Sequence, residues 1–113
     1  MVNNKIGVDI TFNKRFDSYI NDESKCRKIL SLKEIEYLRQ ITSEKRRREY
    51  IARCFAAKEA LYKAMNFKNS FTEISILNRI DGSPYVEQTF TDKSISISIS
   101  HEEDYTIAFV IIK

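Results

Sequence analysis

Apolar and polar positions follow two different periods along this chain, and the change of period divides it into two parts. Residues 5–10 read as a short apolar strand with one acid, Asp9, in its middle. From Phe12 to about Ile20 the apolar residues Phe12, Phe16, Tyr19 and Ile20 fall at helical spacing and predict a first short helix. Ser31-Leu32-Lys33-Glu34 is a capping-box signature, in which each side chain satisfies the other residue's free backbone N–H. It opens a helix through Ile41 with Leu32, Ile35, Leu38 and Ile41 on one stripe. Ser43 then caps a long helix to about Asn66, roughly 23 residues or about 35 Å at 1.5 Å per residue, the spine of the fold.

Beyond Phe67–Phe71 the period becomes two. Glu73–Ile80 and Tyr85–Phe90 read as antiparallel partners joined by the turn Asp81-Gly82-Ser83-Pro84. Ile95, Ile97 and Ile99 alternate with Ser94, Ser96, Ser98 and Ser100, so one face of that strand is buried and the other polar. Residues 105–112 form the closing strand. Helices first and antiparallel strands later predict an α+β fold: an antiparallel sheet packed on a long central helix with shorter helices, one compact domain over residues 1–113. No internal repeat is present.

At 113 residues the chain is long enough for a modest core without metal or disulfide staples. Two glycines and one proline argue against a linker or a disordered tail. Cys26 and Cys54 lack metal-ligand spacing, so reduced, buried thiols are expected. There is no signal-peptide pattern at the N-terminus, and the longest apolar run, Ile107–Ile112, is far too short for a bilayer. A cytoplasmic protein without membrane contact is the expectation. Net charge is a mild +3, but Lys45, Arg46, Arg47 and Arg48 cluster on the long helix. That cluster is either a solvated helix face or a surface for a polyanion.

The run Arg53–Ala64 carries the most chemistry. It sets Lys58, Glu59 and Lys63 among alanines at 56, 57, 60 and 64, small residues that let another surface approach closely. Glu59 and Lys63, four apart, share one helical face, whereas Lys58 lies about 100° around the helix and reads as solvated. A carboxylate in apolar surroundings needs a cation, and either a salt bridge to Lys63 or a bound ion would supply it. Asp9 is likewise either a turn or capping acid or a ligand. His101, the only histidine, ends the isoleucine–serine strand, and such a residue serves either structure or function.

Gly7-x-Asp9-Ile10, then Phe55-Ala56-Ala57-Lys58-Glu59-Ala60-x-x-Lys63-Ala64, then Ser98-x-Ser100-His101 together resemble the holo-acyl-carrier-protein synthase family. These are small phosphopantetheinyl transferases, and the resemblance spans almost the whole chain in order. It implies transfer of 4′-phosphopantetheine from coenzyme A to a serine of an acyl carrier protein, releasing adenosine 3′,5′-bisphosphate. Such a reaction needs charge neutralisation and positioning more than a protein nucleophile. By motif position the resemblance makes Asp9 and Glu59 the ligands of Mg²⁺ or Mn²⁺, and sets Lys63 beside the phosphates. His101 would bond the diphosphate, orient the Asp9 side or carry a proton. Position 101 falls on the isoleucine side if the strand stays regular, so the strand is expected to end or twist at Ser100. Asp9, Glu59 or a water held by them would take the serine proton. Arg46 would hold the 3′-phosphate or an adenine-side group. Arg15 would meet acidic carrier-protein side chains, the Gly82–Pro84 turn would lie against the nucleotide, and Ser100 would contact substrate. A homotrimer with sites between neighbours is implied.

The chain departs from the family pattern in places. Met65-Asn66-Phe67-Lys68-Asn69 lacks the usual glycine after the long helix, and Asn66 is expected to take a left-handed conformation instead. Phe12 replaces an acid. Cys54 stands where arginine is common, with Arg53 before it. The competing readings are a small basic nucleic-acid-binding module using Lys45–Arg48, with salt-sensitive binding, and a purely structural interaction protein. The first leaves Asp9, Glu59 and the Ser-x-Ser-His run unexplained; the second would need no metal and would tolerate Glu59→Gln.

Overall fold

Helix α3 (Glu44–Ala64) runs through both apolar cores of the molecule. The Ser43 hydroxyl caps it by accepting the Arg46 N–H at 3.3 Å, and it holds no glycine or proline over 21 residues. Its first half packs against α1 (Glu23–Cys26), α2 (Leu32–Arg39) and a 3-10 turn at Asn13–Phe16 through Phe16, Leu30, Ile35, Leu38, Ile51 and Cys54. Its second half, alanine-rich on its packing face, packs against a sheet through Ala56, Ala57, Ala60 and Leu61. The computed structural model describes residues 3–113; residues 1 and 2 of the expected single domain lie outside the described residues.

The sheet has three antiparallel strands in the order β1 (Lys5–Phe12), β5 (Tyr105–Ile112), β4 (Ile95–Glu102). A separate hairpin pairs β2 (Ser75–Asn78) with β3 (Pro84–Glu87). In register, Gly7 faces Val110, Asp9 faces Ala108, and Thr11 faces Thr106, which in turn faces His101. Alternation therefore sends Gly7, Asp9, Thr11, Thr106, Ala108, Val110 and His101 to the α3 side. The opposite face carries Ile6, Val8, Ile10, Phe12, Tyr105, Ile107 and Phe109, all exposed.

The α+β architecture matches the sequence pattern, and four local expectations change. No helix spans 12–20: β1 continues to Phe12 opposite Tyr105, and only the 3-10 turn follows. The cause is Asn13, whose buried side chain accepts the Thr106 hydroxyl at 2.7 Å while its backbone N–H reaches Asp104 O at 2.7 Å. Leu32 leaves the α2 stripe and is 68% exposed, because as first residue after the cap it points away from the core. The hairpin strands are shorter than expected. Phe71–Glu73 forms a 3-10 turn capped by Ser70, and the Gln88 side chain accepts the Phe90 and Thr91 N–H groups. Asn66 is not left-handed; Glu103 is the only non-glycine with positive φ among the described residues. The chain instead leaves α3 through an extended Met65, and Phe67 stacks on Phe90 with centroids 4.5 Å apart.

Lys58 is not solvated. It is fully buried, pairs with the equally buried Glu34 and donates to Ile29 O at 2.8 Å. Glu34 also accepts the backbone N–H groups of Ser31 at 2.9 Å and Ile76 at 2.8 Å. One ion pair thus ties α2, α3, β2 and the approach to α2 together. The basic cluster is also partly consumed. Arg47 donates to the carbonyls of Ile20, Leu38 and Ile41 at 2.7–3.0 Å, and Arg48 pairs with Asp17. Both cysteines are free and buried; burial pushes the Cys26 thiol up to about 11 and the Cys54 thiol well above its ordinary value. No helix among the described residues is long and apolar enough to cross a membrane.

Removing one member of a buried ion pair leaves the other charge without compensation. Lys58→Met is expected to cost about 3–5 kcal/mol in urea unfolding. Adding Glu34→Gln, which removes the orphaned charge, recovers part of that loss. A Lys58→Met protein as stable as the wild type contradicts this account of the core.

Candidate active site

The first strand can lie on α3 only because residue 7 has no side chain. A Cβ there would stand 2.0 Å from Ala60 O and 2.8 Å from Ala64 N, far inside van der Waals contact. At the other end of β1, Asn13 and Lys14 share a hollow with Lys45, Arg48 and Glu49, so strand and helix run antiparallel. Asp9 lies two residues beyond Gly7, about 7 Å along the strand, within reach of the Lys63 side chain.

Lys63 reaches across the gap. Its ammonium donates to Val8 O at 3.0 Å and to Asp9 Oδ1 at 3.2 Å, joining residues 54 positions apart. The Thr11 hydroxyl donates to the other oxygen, Asp9 Oδ2, at 2.7 Å. Asp9 is therefore a mid-strand acid with both oxygens engaged, not a turn or capping residue. Glu59 does not pair with Lys63: it is half-buried and makes no ion pair with any described residue. An ammonium has three N–H donors; two are used here, and one is free for a third partner.

His101 lies on the isoleucine side, as strict alternation requires, and β4 stays regular through Glu102 without a twist at Ser100. The expected break is unnecessary because the isoleucine side is the α3 side. The imidazole Nδ1 is 3.8 Å from Glu49 Oε2. With Glu49, Tyr50, Arg53, Asn78, Gly82, Pro84, Ile99 and Thr106 it lines a cleft of about 310 Å³. Burial pushes the Tyr50 phenol well above its ordinary range, so it stays protonated. Arg53 hydrogen-bonds Asn78 across this cleft. Within one chain, however, His101 does not orient Asp9: β5 intervenes, about 10 Å across, and His101 stands two residue pairs along, level with Thr11.

Pro84 thus meets His101, as does Ser100 by a different route. Ser100 points to the opposite sheet face, where it lines a second cleft of about 480 Å³ with Ile10, His101, Glu102, Glu103, Tyr105 and Ile107. Arg46 is exposed one turn before Glu49. Arg15 stands apart in the 3-10 turn, its guanidinium 4.6 Å above the Phe55 ring. Thr11, Glu49, Arg53 and Asn78 were not singled out for these contacts. The Asp-x-Thr spacing on a strand was the available signal for Thr11; nothing local marks Glu49 or Asn78.

Among the described residues no cluster of three or more His, Cys, Asp or Glu is arranged to hold a metal. The two carboxylates still fit a hard divalent ion. Such an ion takes oxygen ligands, keeps several waters and binds through one or two carboxylates plus substrate phosphate. Glu59 is half-buried and pairs with no described cation, so its carboxylate is open to one.

A family model described as the 4′-phosphopantetheinyl transferase superfamily matches residues 5–110. A Holo-[acyl-carrier-protein] synthase of Geobacillus sp. is 41% identical, over 96% of this chain and 94% of that protein. The fold is similar to a holo-(acyl-carrier-protein) synthase from Bacillus anthracis in complex with CoA (3′,5′-ADP), with TM-score 0.86 and 28% identity, over 96% of this chain and 94% of that one. It is also similar to the Helicobacter pylori holo-[acyl-carrier-protein] synthase in complex with coenzyme A, with TM-score 0.75 and 25% identity, over 96% and 99% of the two chains.

The strand–helix contact predicts the effect of the smallest possible side chain at position 7. Gly7→Ala forces β1 off α3 and is expected to cost at least about 1–3 kcal/mol in urea unfolding. Unchanged stability shows that the backbones have room the geometry denies.

Proposed function

The chain belongs to the 4′-phosphopantetheinyl transferase superfamily, and we propose that it transfers 4′-phosphopantetheine from coenzyme A to a serine of an apo acyl carrier protein. The observation that carries this reading is the Lys63–Asp9 contact, which unites two motifs far apart in sequence. In the reaction the serine oxygen bonds to the pantetheine-bearing phosphorus. The bridging P–O bond breaks, and adenosine 3′,5′-bisphosphate leaves. The serine proton passes to the Asp9–Glu59 carboxylate pair, directly or through a water. Lys63 offers its free N–H to the diphosphate, where negative charge shifts as the bond breaks. Asp9 and Glu59 would hold Mg²⁺ or Mn²⁺, whose charge offsets that of the diphosphate. His101, Arg46, Ser100 and Pro84 would contact the nucleotide side, and Arg15 the acidic carrier.

The exposed sheet face supports assembly. Ile6, Val8 and Ile10 are 62, 52 and 63% exposed on one strand and continue onto Tyr105, Ile107 and Phe109. A contiguous apolar face of this kind is one that further copies of the chain could cover. Further copies seated there would border the Ser100–His101 cleft, which opens onto that face. A trimer with sites shared between neighbours accounts for a histidine separated from Asp9 within its own chain. The nucleic-acid alternative is not favoured, since Arg47 is spent on backbone carbonyls and Arg48 is paired with Asp17.

Mass spectrometry of an apo-carrier incubated with coenzyme A, Mg²⁺ and the protein is expected to show the gain of one phosphopantetheine group. Glu59→Gln keeps shape and removes a charge that no described cation compensates; a loss of at least about 100-fold in transfer with little change in melting temperature is expected. A melting collapse instead makes Glu59 a structural residue. In sedimentation the wild type is expected as a trimer, and Ile10→Glu as a monomer without transfer activity. A fully active monomer contradicts the shared site.

A further inference from the structure

We infer that Thr11 is a positioning residue that locks the Asp9 carboxylate for ion binding; this rests on the ligand role proposed for Asp9. Strand alternation puts Asp9 and Thr11 on the same face of β1, both toward α3. The Thr11 side chain is buried, 3% exposed, yet carries a hydroxyl that must be satisfied. Its cross-strand neighbour Thr106 is also buried, but that hydroxyl donates to Asn13 Oδ1 at 2.7 Å and serves the strand-to-turn corner. The Thr11 proton goes instead to Asp9 Oδ2, also at 2.7 Å.

The two hydroxyls therefore divide the work: one pins the chain, the other the acid. A β-branched apolar residue such as valine fills a buried strand position as well as threonine does. The hydroxyl earns its place only through its bond to Asp9. With Thr11 on Oδ2 and Lys63 on Oδ1, rotation of the carboxylate is stopped and one lone pair on each oxygen stays available. Lys63 is exposed and shares its ammonium between Asp9 and the substrate through its third N–H. Thr11 is buried and bonds only the acid, so its hold on Oδ2 does not depend on the substrate. Partners that orient ligating carboxylates in this way change metal affinity about 10–100-fold when removed.

The test is Mn²⁺ binding in the presence of coenzyme A, read from the electron paramagnetic resonance of free Mn²⁺, with transfer assays beside it. Thr11→Val is expected to weaken Mn²⁺ binding at least about tenfold and raise the metal concentration for half-maximal transfer equally, with the carrier KM unchanged. Thr11→Ser, which keeps the hydroxyl, restores both. Should Thr11→Val fold poorly, Thr11→Ser against Thr11→Ala makes the same comparison, since both lack the methyl and only serine keeps the donor. Mn²⁺ binding by Thr11→Val (or Thr11→Ala) equal to that of the hydroxyl-bearing protein, while Asp9→Asn abolishes it, overturns the inference alone. Mn²⁺ binding that survives Asp9→Asn overturns the ligand role and the inference together.

Discussion

The site exists because a strand backbone touches a helix backbone, and that contact tolerates no side chain at Gly7. Helices and sheets ordinarily stand about 10 Å apart, separated by the side chains between them. Here Gly7 on one side and Ala60 and Ala64 on the other remove that layer. Only at such separation does the Lys63 ammonium reach Val8 O and Asp9 Oδ1 together. The alanines of the long helix are thus not filler; their smallness sets the distance at which the charged groups meet.

Adjacent charged residues on α3 show how burial sorts their roles. Lys58 and Glu59 differ by one position and about 100° of rotation. Lys58 turns toward α2, where Glu34 and the Ile29 carbonyl compensate a charge fully removed from water. Glu59 is half-buried and makes no ion pair with any described residue. The first arrangement is satisfied and therefore structural. The second leaves a carboxylate open to solvent and to a cation. The satisfied pair also braces the helix from behind, so the site faces a rigid α3.

The sequence was legible wherever local chemistry decides. The capping box at Ser31–Glu34, the cap at Ser43, the Gly82 turn and the strict alternation from Ile95 onward all form as their patterns require. It was misleading where a distant partner decides. Phe12 has helical spacing to Phe16, but Asn13 is held by Thr106, 93 positions away. Lys58 reads as solvated until Glu34 is known to stand opposite. The parity of His101 was readable; which face of its strand meets α3 was not, because that depends on pairing with β5. The Glu59–Lys63 spacing suggested a pair by helix geometry alone, and Asp9, from the far end of the chain, takes the lysine instead.

One alternation, carried across three strands, gives the sheet two separate duties. Residues facing α3 place Asp9 and Thr11 at one edge and His101 at the other, with β5 between them. A single chain therefore holds the acid centre and the histidine cleft as two parts that do not touch. The residues facing away form an exposed apolar surface. In the assembly proposed above, a second copy would cover that surface and border the Ser100–His101 cleft, so the separation on one face and the exposure on the other would be met together. Incompleteness of the site and incompleteness of the surface are, on this argument, one feature of the sheet seen from its two sides.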